Sequence, residues 1–192
     1  MKPVSVLLSV CAAAVLAVTV GGSPAMAAGG RHGDMPEADK QLLRGPGAVK
    51  IINRQSGDCL DQSFVGGSEH QEVIAFPCER TAFNQYWHTN LQPDGTYMIT
   101  TDFTKKCLDQ NYANGVHHYD VLAYTCKNTR NQRWFINWDP NKAGYLILNE
   151  ESGDCLDQNY ANGQRHQEVL VWPCNFDPNR PFSNQVWRIE AA

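Results

Sequence analysis

The chain has 192 residues, 42% of them hydrophobic, with 16 basic and 20 acidic side chains and a net charge of −4. That acidic balance argues against nucleic acid or anionic lipid as a partner, since both call for a basic face. Of the seven cysteines, six follow Cys11, an even number that fits disulfide pairing in an oxidising compartment.

The chain opens like an export signal. Lys2 supplies the positive start, Val4 to Val20 is almost wholly apolar, Gly21-Gly22-Ser23-Pro24 breaks the run, and Ala25-Met26-Ala27 is a small-x-small cleavage site. The apolar run is at the short limit for spanning a bilayer, and the cleavage site follows at once, so residues 1–27 are expected to direct secretion and leave no membrane-inserted segment. Losing Lys2 takes the net charge to −5. Residues 28–48, rich in glycine and proline (Gly29-Gly30, Gly45-Pro46-Gly47), are expected to be a flexible leader, with a turn of helix at Ala38 to Arg44.

From residue 49 the chain repeats itself. Cys59, Cys107 and Cys155 are 48 residues apart, as are Cys78, Cys126 and Cys174. Ile51, Ile99 and Ile147 keep the same step, as do Leu60, Leu108, Leu156 and Val73, Val121, Val169. Ten of the twelve residues from Cys107 to His118 recur from Cys155 to His166. Each copy ends in Asn-Gln-x-Trp, reaching Trp87, Trp134 and Trp187. The stretch before that motif holds five residues in the first copy, four in the second and nine (Asn175 to Ser183) in the third. The copies are therefore 49–96, 97–144 and 145–192. Six cysteines permit 15 pairings. Three equivalent units make Cys59–Cys78, Cys107–Cys126 and Cys155–Cys174 the simplest choice, each closing a loop worth about 3 kcal/mol.

Within a copy the segments are short and strand-like. Val49–Asn53, Cys59–Ser63, Val73–Cys78 and Gln85–Thr89 are separated by polar and glycine turns, and no stretch sustains a helical period. Four short strands cannot bury a face alone, so three copies must share one core, and three-fold closure removes the sheet edges a lone unit would expose.

A Cys-Leu-Asp start, an aromatic two places before the second cysteine and a closing Asn-Gln-x-Trp, three times in register, resemble the ricin B-type lectin family. The resemblance covers 49–192. It implies an all-β chain folded as a β-trefoil, with the three tryptophans in the core. It also implies sugar-binding residues copy by copy. The carboxylates are Asp61, Asp109 and Asp157, and the stacking aromatics are Phe76, Tyr124 and Trp172. The polar pairs are Asn84-Gln85, Asn131-Gln132 and Asn184-Gln185. An ionised carboxylate accepts from neighbouring hydroxyls, an amide both donates and accepts, and an aromatic face covers the C–H side of a pyranose ring. The glutamine is expected to brace the aspartate rather than touch sugar. Many family members carry Gln four residues before the second cysteine; here Ile74, Leu122 and Leu170 stand there. His70/Glu72, His118/Asp120 and His166/Glu168 share a strand face with the aromatic and offer replacement hydroxyl partners.

The resemblance implies a secreted carbohydrate-binding protein, galactose-type or plant polysaccharide sugars being the usual ligands of that family. The alternative is a secreted β-trefoil that binds protein, as a protease inhibitor or a toxin's targeting subunit. An enzyme is disfavoured: a carboxylate pair such as Asp157 with Glu168 recurs in every copy, whereas an active site occurs once. Asp157, Asn159 and Glu168 fit positions one, three and twelve of a calcium loop, but Ala161 at five and Gly163 at seven break its rule. No catalytic residue, metal or other cofactor is expected, and no oligomeric state is implied.

Overall fold

The computed structural model describes residues 35–177 and 184–192. The export signal expected at 1–27 lies outside them. One short helix, α1 (Glu37–Arg44), precedes twelve antiparallel strands. The first copy contains β1 (Val49–Asn53), β2 (Asp58–Val65), β3 (Ser68–Pro77) and β4 (Trp87–Leu91). The second contains β5 (Tyr97–Thr101), β6 (Cys107–Ala113), β7 (Val116–Tyr124) and β8 (Arg133–Asp139). The third contains β9 (Gly144–Asn149), β10 (Cys155–Ala161), β11 (Gln164–Trp172) and β12 (Trp187–Ala191).

Six strands close a barrel. β1 pairs with β12, β4 with β5 and β8 with β9 along their lengths. The contacts Val49↔Trp87, Tyr97↔Trp134 and Trp187↔Tyr145 join those pairs into a ring. The other six form three hairpins, β2–β3, β6–β7 and β10–β11, which pair with one another at Glu72↔Leu122, Leu170↔Asp120 and Glu168↔Ile74. This is the β-trefoil, with no free edge between copies. The three expected disulfides are present, each joining the base of a hairpin to the segment after it.

The period in the sequence becomes the symmetry of the core. Leu60, Leu108 and Leu156, Ile51, Ile99 and Ile147, and Trp87, Trp134 and Trp187 are all fully buried in one cluster. The hairpins run longer than hydrophobic patterning suggests, because their outer halves are exposed on both faces. They are held instead by backbone pairing and by two-residue turns with both residues left-handed: Gly66-Gly67, Asn114-Gly115 and Asn162-Gly163. The expected fourth strand begins two residues late in the first copy and one in the second. Gln85 and Gln132 lie in 3-10 turns, and the strands start at Trp87 and Arg133.

The leader departs from expectation. Residues 35–48 are not a loose tail: Met35 and Leu43 are buried in the common core, and Leu42 packs against it. The helix sits at the barrel end away from the hairpins, where Thr89 Oγ1 donates to the Leu43 carbonyl at 2.7 Å and the Tyr145 hydroxyl donates to Asp39. The reason is local. Ile136 and Ile189 occupy the positions that correspond to Thr89, and both copies are apolar there. The first copy substitutes a hydroxyl where the helix supplies a buried carbonyl to receive it. Leu43→Ala is therefore expected to cost about 2–4 kcal/mol in a denaturant titration, the range for a large core deletion. A change below about 0.5 kcal/mol, typical of a surface site, would show that the leader contributes nothing to the core.

Candidate functional site

Each copy builds the same constellation from three stretches that one hydrogen bond brings into register. The indole Nε1–H of Trp87 donates to the Leu60 carbonyl at 2.8 Å, and Trp134 and Trp187 donate to Leu108 and Leu156 at 2.9 Å. The next residue after each leucine is Asp61, Asp109 or Asp157, and the residues two and three before each tryptophan are the Asn-Gln pairs. Fixing the tryptophan thus brings the carboxylate against the amides.

Asn84 Nδ2 donates to Asp61 Oδ1 at 2.8 Å and Gln85 Nε2 to Asp61 Oδ2 at 2.9 Å. In the second copy Asn131 and Gln132 reach Asp109 at 3.1 and 2.7 Å. In the third, Asn184 and Gln185 reach Asp157 at 2.6 and 2.9 Å. The remaining amide hydrogens are also used. Asn84 Nδ2 donates to the Gln62 carbonyl and Gln85 Nε2 to the Pro77 carbonyl, while Gln85 Oε1 accepts from Glu79 N–H. The same bonds recur around Asn131-Gln132 and Asn184-Gln185.

Two consequences follow. Every glutamine has committed both amide hydrogens and is buried, so it braces the aspartate and lies out of a ligand's reach. The asparagine has committed both of its hydrogens and can offer only its oxygen. Each carboxylate oxygen accepts one amide hydrogen and keeps further lone-pair capacity. The polar floor common to the three copies is therefore built of acceptors. It suits a ligand that donates, such as a run of hydroxyls.

Burial acts on the carboxyls. The aspartates are only 4–5% exposed. Burial pushes Asp61 up to about 6 against the lowering effect of Gln85 and Asn84, with the Glu79 charge adding to the rise. Asp157 is pushed up to about 6 for the same reason, against Gln185 and Asn184. Asp109 is also raised by burial, while its two amides and the Lys127 charge pull the other way.

Above each floor stands an exposed ring, Phe76, Tyr124 or Trp172. The rims differ. In the first copy a cleft of about 360 Å³ joins Asp61, Ile74, Phe76 and Asn84 to Phe64, Val65 and Phe83. Phe103 backs this wall, 5.2 Å from Phe64 and 4.9 Å from Phe83 between ring centroids. In the second copy the Lys127 ammonium stands over the Tyr124 ring at 5.2 Å. In the third, Asp157, Asn159, Tyr160, Leu170, Trp172 and Asn184 line a cleft of about 380 Å³. Phe176 is exposed nearby in sequence; Phe182 and Ser183 lie outside the described residues.

Sequence reasoning passed over the buried glutamine that follows each aspartate. Gln62, Gln110 and Gln158 donate to the carbonyls of His70, His118 and His166 across the hairpin at 2.9–3.1 Å. They hold the bulge that turns Phe64, Tyr112 and Tyr160 outward. The signal was present, since Cys-Leu-Asp-Gln is identical in all three copies. The acidic residues offered as replacement hydroxyl partners divide. Asp120 and Glu168 accept from Asn111 and Asn159 at 3.3 and 2.5 Å. Together with Glu72 they also line a cleft of about 480 Å³ where the three hairpins meet. Among the described residues no group of three or more His, Cys, Asp or Glu side chains could hold a metal ion.

Residues 47–190 match the ricin-type β-trefoil lectin domain. Among solved structures, the designed three-fold symmetric protein ThreeFoil is similar with a TM-score of 0.63 and 25% identity, over 76% of this chain and 99% of that one. A ricin B-like lectin of Macrolepiota procera, solved in complex with lactose, gives a TM-score of 0.58 and 18% identity over 76% of this chain and 95% of that one. An exo-β-1,3-galactanase from Clostridium thermocellum gives 0.61 and 17%, over 78% of this chain but 31% of the enzyme. No curated protein sequence matches significantly. With the family match spanning all three copies and the same buried carboxylate–amide floor in each, the chain belongs to the ricin-type β-trefoil lectin family, whose domain binds carbohydrate.

Proposed function

We propose that this protein is exported and binds galactose-type or plant polysaccharide sugars through up to three shallow sites, with no catalysis of its own. The observation that carries this reading is the acceptor-only floor beneath an exposed ring, kept in three places. A pyranose presents both features together: hydroxyls that donate at its rim and a C–H face that stacks. Asp61, Asp109 and Asp157 take the hydroxyl hydrogens, Asn84, Asn131 and Asn184 add an acceptor, and Phe76, Tyr124 and Trp172 carry the ring. The three disulfides favour an oxidising destination, in keeping with an export signal at 1–27.

Single sites of this kind are weak. A monosaccharide has about 12 heavy atoms, and at ~0.3–0.4 kcal/mol each it reaches about −4 kcal/mol, in the millimolar range. Useful affinity comes from engaging several sites on one polymer or surface. Trp172 offers the largest stacking face and Tyr124 a ring with a hydroxyl, whereas Phe76 brings no hydrogen bond. Trp172→Ala or Asp157→Ala is expected to lower binding to a multivalent glycan most, roughly tenfold or more. The Tyr124 and Asp109 changes follow, and Phe76→Ala has the smallest effect. Folded protein carrying alanine at all three aspartates that still binds would remove them from the site.

Acidity should move binding and stability in opposite directions. A protonated aspartate loses acceptor capacity, so retention on a galactose or xylan matrix falls as pH drops through about 6. For stability, the folded values of Asp61 and Asp157 lie above the ordinary 3.8. Their contribution is fully present below pH 3.8 and is lost as pH rises through about 6. Thermal unfolding and matrix retention measured between pH 7.5 and 5 should therefore diverge, Tm rising while retention falls. Retention that stays level over that interval would show that the carboxylates do not face the ligand.

A further inference from the structure

Trp172 does not stand alone. Its ring centroid lies 5.0 Å from that of Tyr119, with the two planes inclined by 44°. Both rings keep open surface, Trp172 at 49% and Tyr119 at 56% exposed. Tyr119 belongs to the second copy. It reaches the third because Leu170 of β11 pairs with Asp120 of β7, which lays the two hairpins side by side.

The other two hairpin contacts repeat this pairing. Glu168↔Ile74 brings Gln167 toward Phe76, and Glu72↔Leu122 brings Gln71 toward Tyr124. The position that neighbours a stacking ring is thus glutamine, tyrosine or glutamine in the three copies. Tyrosine occurs only beside the tryptophan. The fold does not require it, since glutamine serves at the two equivalent places and Tyr119 is more than half exposed.

Resting on the sugar-binding reading above, we infer that the third site holds two adjoining rings of an oligosaccharide. Trp172 stacks the ring whose hydroxyls reach Asp157 and Asn184, and Tyr119 stacks the next one along the chain. The 5.0 Å spacing is close to the advance from one pyranose to its neighbour. The Tyr119 hydroxyl also adds a donor beside a floor made of acceptors. This site therefore gains affinity with ligand length, through a residue that the sugar-site pattern within a single copy does not contain.

The test uses the whole isotope-labelled protein and follows the Trp172 indole N–H by NMR, which reads the third site directly. Galactose is compared with lactose, and xylose with xylotriose. The longer sugar of at least one pair should bind roughly fivefold more tightly than its monosaccharide, the size of one aromatic contact. Tyr119→Gln, which installs the residue of the other two copies, should keep monosaccharide affinity within about twofold and lose that gain, while Tyr119→Phe keeps most of it. A longer sugar that binds no more tightly, or a gain that survives Tyr119→Gln, overturns the two-ring site and leaves single-sugar binding standing. A Trp172 signal that none of the four sugars moves overturns the sugar site itself, and the two-ring site with it.

Discussion

The structure hangs on one repeated hydrogen bond, from the indole of a buried tryptophan to a leucine carbonyl. The tryptophan belongs to the barrel and the leucine to the hairpin, so the bond ties the two layers together inside the core, where an unpaired indole N–H or carbonyl would be costly. It also positions the candidate site. The aspartate follows the leucine, and the asparagine and glutamine precede the tryptophan. A residue that never meets a ligand therefore decides where the carboxylate and its amides stand. The contact that ties the barrel to the hairpins and the contact that assembles the candidate site are the same.

Against this shared frame, the informative residues are those that break the repeat. Thr89 stands where the other copies have isoleucine, and it marks where α1 docks. Tyr119 replaces a glutamine, and it stands beside the largest exposed ring. Glu79, Lys127 and Asn175 follow the second cysteine of each copy and place a negative, a positive and a neutral group beside otherwise equal floors. The first copy exchanges Tyr112 and Tyr160 for Phe64, which with its Phe83 and with Phe103 of the second copy makes an apolar wall. Three sites of one origin thus present three different rims, and only the braced carboxylate is constant.

Much of this was legible in the sequence because its symmetry is. A 48-residue period fixed the cysteine pairing among 15 alternatives. It also implied a closed three-fold core, since no single copy could bury its leucine, isoleucine and tryptophan. The family resemblance then picked out Asp61, Asn84, Gln85 and their counterparts, which the fold brings together. What escaped has a common cause. A repeat describes what each copy contains and says nothing of which residues of different copies meet. The Tyr119–Trp172 contact and the Thr104 hydroxyl on Gln62 of the preceding copy both cross a boundary. The leader escaped for another reason. Glycine and proline at 45–47 end the helix cleanly, and that composition reads as looseness although the residues before it carry Met35 and Leu43 into the core.

A shallow, open cleft is on its face a poor place to hold a sugar, because water competes for every hydroxyl. The brace answers that objection. Two amide hydrogens already occupy each carboxylate and the surrounding core has stripped much of its water, which is why burial raises its pKa. On the proposed reading a sugar would therefore displace little solvent from the acceptor and meet it in a fixed orientation, so the losses of ordering and desolvation would fall before binding rather than during it. The exposed ring contributes in the same sense, since its face gives up only loosely held water. What the cleft lacks in enclosed area it recovers by being ready. The buried glutamine, with both amide hydrogens committed, is the residue that keeps it so.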